Sequence, residues 1–225
     1  MSKTNDIDNA DVARAYARWA PVYDLVFGRV FARGRTASIE AAERVGGRVL
    51  DVGVGTGIAL LDYKPTLRIS AVDYSEPMLK QAKARVIEHG LDHVECVAVM
   101  DAQKLGFANE IFDAVVAQYV ITTVPDPEAV LDEFVRVLKP GGEMILVNHI
   151  GAESGPRRLF ELAFAPAARR LGWRPEFPWA RIADWAARHG GVRLIERVPM
   201  PPLGHFSLIR FARAGVEAAP VRRIA

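Results

Sequence analysis

The residues that could do chemistry begin at Val49–Gly57, which reads VLDVGVGTG. An apolar strand end (Val49, Leu50, Val52) runs into glycines at 53, 55 and 57, and the helix-compatible Ile58, Ala59, Leu60 and Leu61 follow. Alternate glycines let the backbone turn tightly and bring its N–H groups close to a ligand. At the carboxyl end of a first strand in an open α/β sheet, such a loop is the usual nucleotide-ligand site. The spacing here is GxGxG, whereas the dinucleotide fingerprint needs a third glycine where Ile58 stands. Asp51 lies inside the motif, where a carboxylate repels a pyrophosphate and welcomes a cation. The loop suits a positively charged nucleoside.

The elements that must position this loop alternate between strand and helix. Thr36–Arg44 reads as a helix stopped by Gly46 and Gly47. Strands are predicted over Arg48–Val52, Arg68–Val72 (ending at Asp73), Val94–Val99 (followed by Asp101), Phe112–Gln118 and Glu143–Val147 (ending at Asn148 and His149). Helices are predicted over Ile58–Leu61, Pro77–Glu88 with Ser75 as its cap, and Pro127–Val137, with LKPGG (Leu138–Gly142) as a helix stop and turn. Short apolar runs separated by helices indicate a parallel sheet covered on both faces. A core helix at Arg181–Arg188 precedes two last strands, near Val192–Val198 and Phe206–Phe211. The short turn Pro199–Gly204 pairs them antiparallel.

Two flanks differ from this core. In residues 11–35, Val12, Tyr16, Trp19, Tyr23, Val26, Phe27, Val30 and Phe31 recur at broadly helical spacing, broken at Pro21, with Arg14, Arg18, Arg29, Arg33 and Arg35 between them. That pattern fits an interfacial membrane helix or an amphipathic helix docked on the core. Residues 151–190 interrupt the alternation with Phe160, Phe164, Trp173, Phe177 and Trp179 beside Arg157, Arg158, Arg169, Arg170 and Arg174, and read as a helical lid. The expected division is 1–35 as N-terminal helices, 36–150 as ligand-binding core, 151–190 as lid and 191–225 as the final strand pair.

Composition sets outer bounds. The 225 residues, half hydrophobic and a quarter charged, suit one sizeable globular core. The single Cys96 excludes an internal disulfide and cysteine-rich zinc sites, so a reducing, cytoplasmic setting is expected and no metal. The N-terminus resembles no signal peptide, and no apolar run is long enough to span a bilayer. Charge is uneven: +2 over residues 1–50, −7 over 51–150 and +7 over 151–225. Arginine-rich ends around an acidic centre favour phosphates or an anionic membrane surface as partners.

The ordered motifs LDVGVGTG, ISAVDYSEPML, VMDAQKL, FDAVVAQYVITTVPDP and LKPGGEMILV resemble those of class I S-adenosylmethionine-dependent methyltransferases over roughly residues 45–150. YARWAPVYDLVFG and the basic aromatic lid resemble, more narrowly, the soluble bacterial phosphatidylethanolamine N-methyltransferases; quinone C-methyltransferases are close relatives. The resemblance implies a Rossmann-like α/β fold, a mostly parallel seven-stranded sheet with an antiparallel last strand. It implies S-adenosylmethionine as methyl donor, S-adenosylhomocysteine as product and no metal. Gly53 and Gly55 would let backbone approach the donor, and Asp51 would lie near its cationic part. Asp73 would take the ribose hydroxyls, since an ionised carboxylate accepts two hydrogen bonds. Tyr74 and Met78 would flank the adenine, Asp101 with Ala102 beside it would accept its amino group, and Gln118 would complete the donor site. Asp113, at the opposite sheet edge, reads as structural.

For an amine acceptor, His149 is the candidate base, with Tyr16, Tyr23 and Tyr119 orienting the amine. With Trp19 these tyrosines could face a choline-like cation, or they pack the core. Arg210 or the arginines of 157–174 would take a lipid phosphate. The expected activity is repeated N-methylation of phosphatidylethanolamine by a peripheral, monomeric enzyme without nucleic-acid partners. The alternatives are methylation of a quinone or other hydrophobic acceptor, and a non-catalytic binding protein on the same fold.

Overall fold

A computed structural model describes residues 31–151, 177–201 and 204–215. The predicted helices over 11–30 and most of the lid lie outside the described residues. Residues 31–45 are helical (α1). There follow β1 (Arg48–Val52), β2 (Arg68–Asp73), α2 (Glu76–Glu88), β3 (Val94–Val99), β4 (Phe112–Gln118), α3 (Pro127–Val137), β5 (Leu138–His149), α4 (Trp179–His189), β6 (Val192–Met200) and β7 (Phe206–Arg213). The sheet has seven strands in the order β3-β2-β1-β4-β5-β7-β6. β7 runs antiparallel to both β5 and β6, and the other pairings are parallel. The expected α/β class and its antiparallel last strand are both present.

Strand alternation sorts the core into two faces. Val49, Ile69, Ala71, Val116, Ile145 and Val147 are buried with Ile39 and Ala42 of α1 and Leu79 and Ala82 of α2. Leu50, Val52, Val115, Met144 and Leu146 are buried on the opposite face with Val130 and Phe134 of α3 and Ile182 and Trp185 of α4. Two polar ties hold α4 against α3. Arg181 grips Glu128 through two 2.6 Å bonds, and the Trp185 indole donates to Asp132 at 2.7 Å. Because every strand except β7 points the same way, the carboxyl ends of β1, β2, β4 and β5 share one edge with the β7 start.

Four local readings need correction. α1 already includes 31–35, so those residues belong to a helix packed on the core. Ile58–Leu61 is a single 3-10 turn, too short for an α-helix. Ser75 occupies the N-cap position of α2, but its hydroxyl makes no cap bond, and its backbone N–H donates to Asp73. LKPGG is the beginning of β5: Leu138 pairs with Phe112, the register shifts, and Glu143 pairs with Ala114. Gly141, at φ +80°, absorbs that excursion.

Asp113 is structural, as its place at the amino edge implied. It accepts the Arg48 N–H at 2.8 Å and both oxygens lie within 2.9 Å of the Lys139 ammonium. Burial raises its pKa, but Lys139 and Arg48 outweigh burial and hold it below the ordinary carboxylate value of 3.8. The native state therefore favours the ionised form, and this contribution is present above pH 3.8 and lost as pH falls through the depressed folded value. Asp113→Asn is expected to lower stability in denaturant unfolding at pH 7, with the difference from wild type shrinking toward zero as pH falls below 3.8 through the depressed folded value.

Candidate active site

The glycine loop is held by its neighbours. The Gly53 and Val54 N–H groups both donate to the Val72 carbonyl, at 2.8 and 3.1 Å. Gly53, Gly55 and Gly57 have φ of +71°, +57° and +80°. A Cβ at 53 would collide with Val120, and one at 57 would lie 2.9 Å from the Ala82 backbone. At 55 a Cβ would meet only the Met78 sulfur at 3.6 Å, so this position leaves open space beside the backbone. Arg85 of α2 donates to both the carbonyl and the hydroxyl of Thr56, each at 3.0 Å, and pins the far side of the loop.

Two carboxylates stand at this edge. Asp73 accepts the Gly55 N–H on one oxygen at 2.8 Å and the Ser75 N–H on the other at 2.7 Å. Burial raises its pKa, against the pull of those N–H groups and of Tyr74. Asp51 is buried and accepts the Tyr63 hydroxyl at 3.2 Å. Its pKa is raised to about 7, by burial first and by the Asp73 charge, with the Tyr63 bond opposing. Negative charge and an open glycine cradle fit a cationic nucleoside with free ribose hydroxyls. The residues present therefore suit S-adenosylmethionine: Asp73 for the ribose, the loop backbone at Gly53 and Gly55 alongside, and Asp51 beneath.

On the predicted adenine side, Tyr74 is exposed, and Met78 is buried against the glycine loop. Asp101 folds its own loop by accepting the Gln103 N–H at 2.9 Å, while Ala102 packs on the core beside Met100. On the other side, Gln118 and Tyr119 end β4 next to Asn148 and His149 of β5. The Gln118 side-chain amide is buried without a hydrogen-bond partner among the described residues. The His149 ring lies nearly parallel to that of His205 at 5.9 Å and edge-on to Phe206 at 6.1 Å.

Two residues singled out in the sequence have partners within the fold. Tyr119 has φ +64° and donates its hydroxyl to the Phe31 carbonyl at 3.2 Å, its ring stacked on Phe31 at 4.0 Å. Burial pushes its phenol pKa upward, and the hydroxyl ties α1 to the sheet. Arg210 is in mid-strand, paired in register with Ile145. Its guanidinium is engaged by Glu143 at 2.7 and 3.0 Å and by Glu196 at 2.6 Å, so its charge is already paired within the sheet. Tyr16, Trp19, Tyr23 and the arginines of 157–174 lie outside the described residues.

Several contributors had no clear sequence signal. Tyr63 and Arg85 reach the loop only through tertiary packing. Gly34 is needed because a Cβ there would strike the Tyr119 hydroxyl. His205 and Phe206 were legible in principle, since an antiparallel β7 must start where β5 ends. Arg35, one of the arginines of the amphipathic 11–35 pattern, pairs with Asp62 at 3.0 Å.

Two outcomes follow for donor binding. Asp73→Ala is expected to weaken S-adenosylhomocysteine binding by about 10- to 100-fold in calorimetry, the range for hydrogen bonds to a charged group. Affinity for the cationic donor should rise as pH increases through about 7, where Asp51 ionises, and Asp51→Asn should flatten that rise. Without donor, the raised native pKa means the folded state holds its proton more tightly, so the Asp51 contribution to stability falls between pH 3.8 and about 7.

Known proteins are similar to this chain. A family model described as a methyltransferase domain matches residues 50–146. A phosphatidylethanolamine N-methyltransferase from Cereibacter sphaeroides is 40% identical over 203 residues, 90% of this chain and 97% of that protein. A ubiquinone/menaquinone biosynthesis C-methyltransferase from Cupriavidus taiwanensis is 33% identical over 197 residues, 82% of this chain and 78% of that protein. A phosphoethanolamine N-methyltransferase from Haemonchus contortus, solved with S-adenosyl-L-methionine, has a similar fold (TM-score 0.67, 18% identity, 89% of this chain and 57% of that one). Glycine loop, strand order and near full-length similarity agree: the chain belongs to the class I S-adenosylmethionine-dependent methyltransferases.

Proposed function

We propose that the chain methylates the amine of phosphatidylethanolamine, repeatedly and towards phosphatidylcholine, at a membrane surface. The observation that carries this reading is the near full-length similarity to the Cereibacter sphaeroides enzyme. S-adenosylmethionine supplies an electrophilic methyl group when bound. The chain's own task is then to present a neutral amine in line with it. An alkylammonium has a pKa of about 10 in water, near that of lysine, so the amine must lose a proton first. Withdrawal from water lowers that pKa, and a base completes the step. His149, at the sheet edge beside His205 and Phe206, is the residue proposed to take the proton.

In the proposed division of labour, 36–150 binds the donor, and 1–35 and 151–190 form the acceptor and membrane side. The last strand pair, 191–225, closes the acceptor side through His205 and Phe206. No helix among the described residues is long and apolar enough to cross a membrane; the proposed contact with lipid is peripheral. Arginines in the flanks supply the affinity for an anionic surface. Similarity to the C-methyltransferase supports a second reading, in which the same edge takes a quinone ring.

The deciding experiment incubates the full chain with S-adenosylmethionine and vesicles of phosphatidylethanolamine mixed with an anionic lipid, and reads the lipid extract by mass spectrometry. Products carrying one, two and three added methyl groups are expected. Unchanged lipid with methylated demethylmenaquinone would establish the quinone reading. His149→Gln is expected to lower kcat by about 10²- to 10⁴-fold while leaving donor affinity intact.

A further inference from the structure

Asn148 is fully buried at the next-to-last position of β5. Its Oδ1 accepts the Ile121 N–H at 3.1 Å. A backbone N–H can only donate, so this bond fixes which end of the amide is oxygen. The Nδ2 group is then left as a two-proton donor, buried and without a partner among the described residues. Buried donors are rarely left so, because each orphaned group destabilises the fold. A ligand that supplies an acceptor removes that penalty on binding.

The amide lies on the sheet face opposite the one that packs the glycine loop. The loop residues Val54, Ala59 and Leu60 pack on the sheet face that carries α1 and α2. Asn148 continues the other face, in line with Met144 and Leu146 and beside Ile121 and Ile150. From there the chain leaves the sheet at Gly151, whose N–H donates to the Phe177 carbonyl at 2.8 Å. An amide N–H cannot hold an ammonium; it selects an oxygen. Arg210, the described arginine expected to serve a phosphate, is held by Glu143 and Glu196.

We propose that the Asn148 amide binds a phosphoryl oxygen of the methyl acceptor and so sets how far the amine stands from it. This rests on the phosphatidylethanolamine reading. The same chemistry would accept a lipid headgroup or free phosphate. Asn148→Asp keeps an oxygen for the Ile121 N–H and replaces the donor with a negative charge, which repels a phosphoryl group.

The test is nuclear magnetic resonance on the full, isotope-labelled chain saturated with S-adenosylhomocysteine. The Asn148 side-chain amide pair is assigned by its absence from the spectra of Asn148→Asp and Asn148→Ser. Titration with glycerophosphoethanolamine is expected to shift that pair, and ethanolamine alone to leave it in place. An equal shift with inorganic phosphate supports the oxygen site and assigns it to free phosphate. No shift with any phosphate, or an equal shift with ethanolamine, overturns the proposal. If the wild type fails to methylate the lipid yet the shift persists, the functional reading fails and the oxygen site stands. In kinetics, Asn148→Asp should raise the lipid KM by about 10- to 100-fold with S-adenosylhomocysteine affinity unchanged. Equal loss of both, with a lowered Tm, would make Asn148 a residue of the fold and overturn its role in binding.

Discussion

One half-buried carboxylate holds the ligand edge together. Asp73 bridges the Gly55 N–H of the loop and the Ser75 N–H at the head of α2, at 2.8 and 2.7 Å. Three elements meet at this group: β2 carries it, the glycine loop donates to one oxygen and the first turn after β2 donates to the other. The loop must use residues that tolerate positive φ, and α2 must come close enough that position 57 has no room for a Cβ. In the proposed reading the same carboxylate takes the ribose hydroxyls. A single side chain would then both shape the loop and supply acceptors to the donor, limiting reorganisation on binding.

The sheet then divides labour by face and by strand. On one face, α1 and α2 pack against the glycine loop and bury Asp51 with Tyr63. On the other, α3 and α4 are fastened to each other by the Arg181–Glu128 and Trp185–Asp132 bonds, and they lie behind the ends of β4 and β5. The antiparallel β7 matters because it alone begins at the carboxyl edge, delivering His205 and Phe206 beside His149. α1 is joined to this corner by Tyr119, whose ring stacks on Phe31 and whose hydroxyl holds the Phe31 carbonyl. The first described turn of α1 is therefore coupled to the end of β4.

The parts that local pattern controls were legible before any coordinates. Short apolar runs gave β1, β2, β3 and β4 within a residue; for β1, β2 and β4, burial on both faces leaves a continuous hydrophobic signature. Asp113 was separable from Asp73 because chain direction puts one at the amino edge and the other at the carboxyl edge. What pattern does not encode is who partners whom across the fold. Arg210 looked like a free phosphate ligand until β6 and β5 supplied Glu196 and Glu143. Tyr119 looked like a substrate-facing tyrosine until α1 supplied a carbonyl. Ser75 was placed correctly as the cap position, yet Asp73 took over the bonding around it. LKPGG read as a turn because proline and two glycines dominate its composition, whereas β4 extends far enough at Phe112 to draw Leu138 into the sheet.

The most direct measurement is a crystal structure of the full chain with S-adenosylhomocysteine. The account predicts the ribose hydroxyls on the Asp73 carboxylate, the ligand backbone-to-backbone with Gly53 and Gly55, and its sulfur directed toward the ends of β4 and β5. A ligand bound away from Asp73, or one whose sulfur faces away from Gln118 and His149, would contradict it.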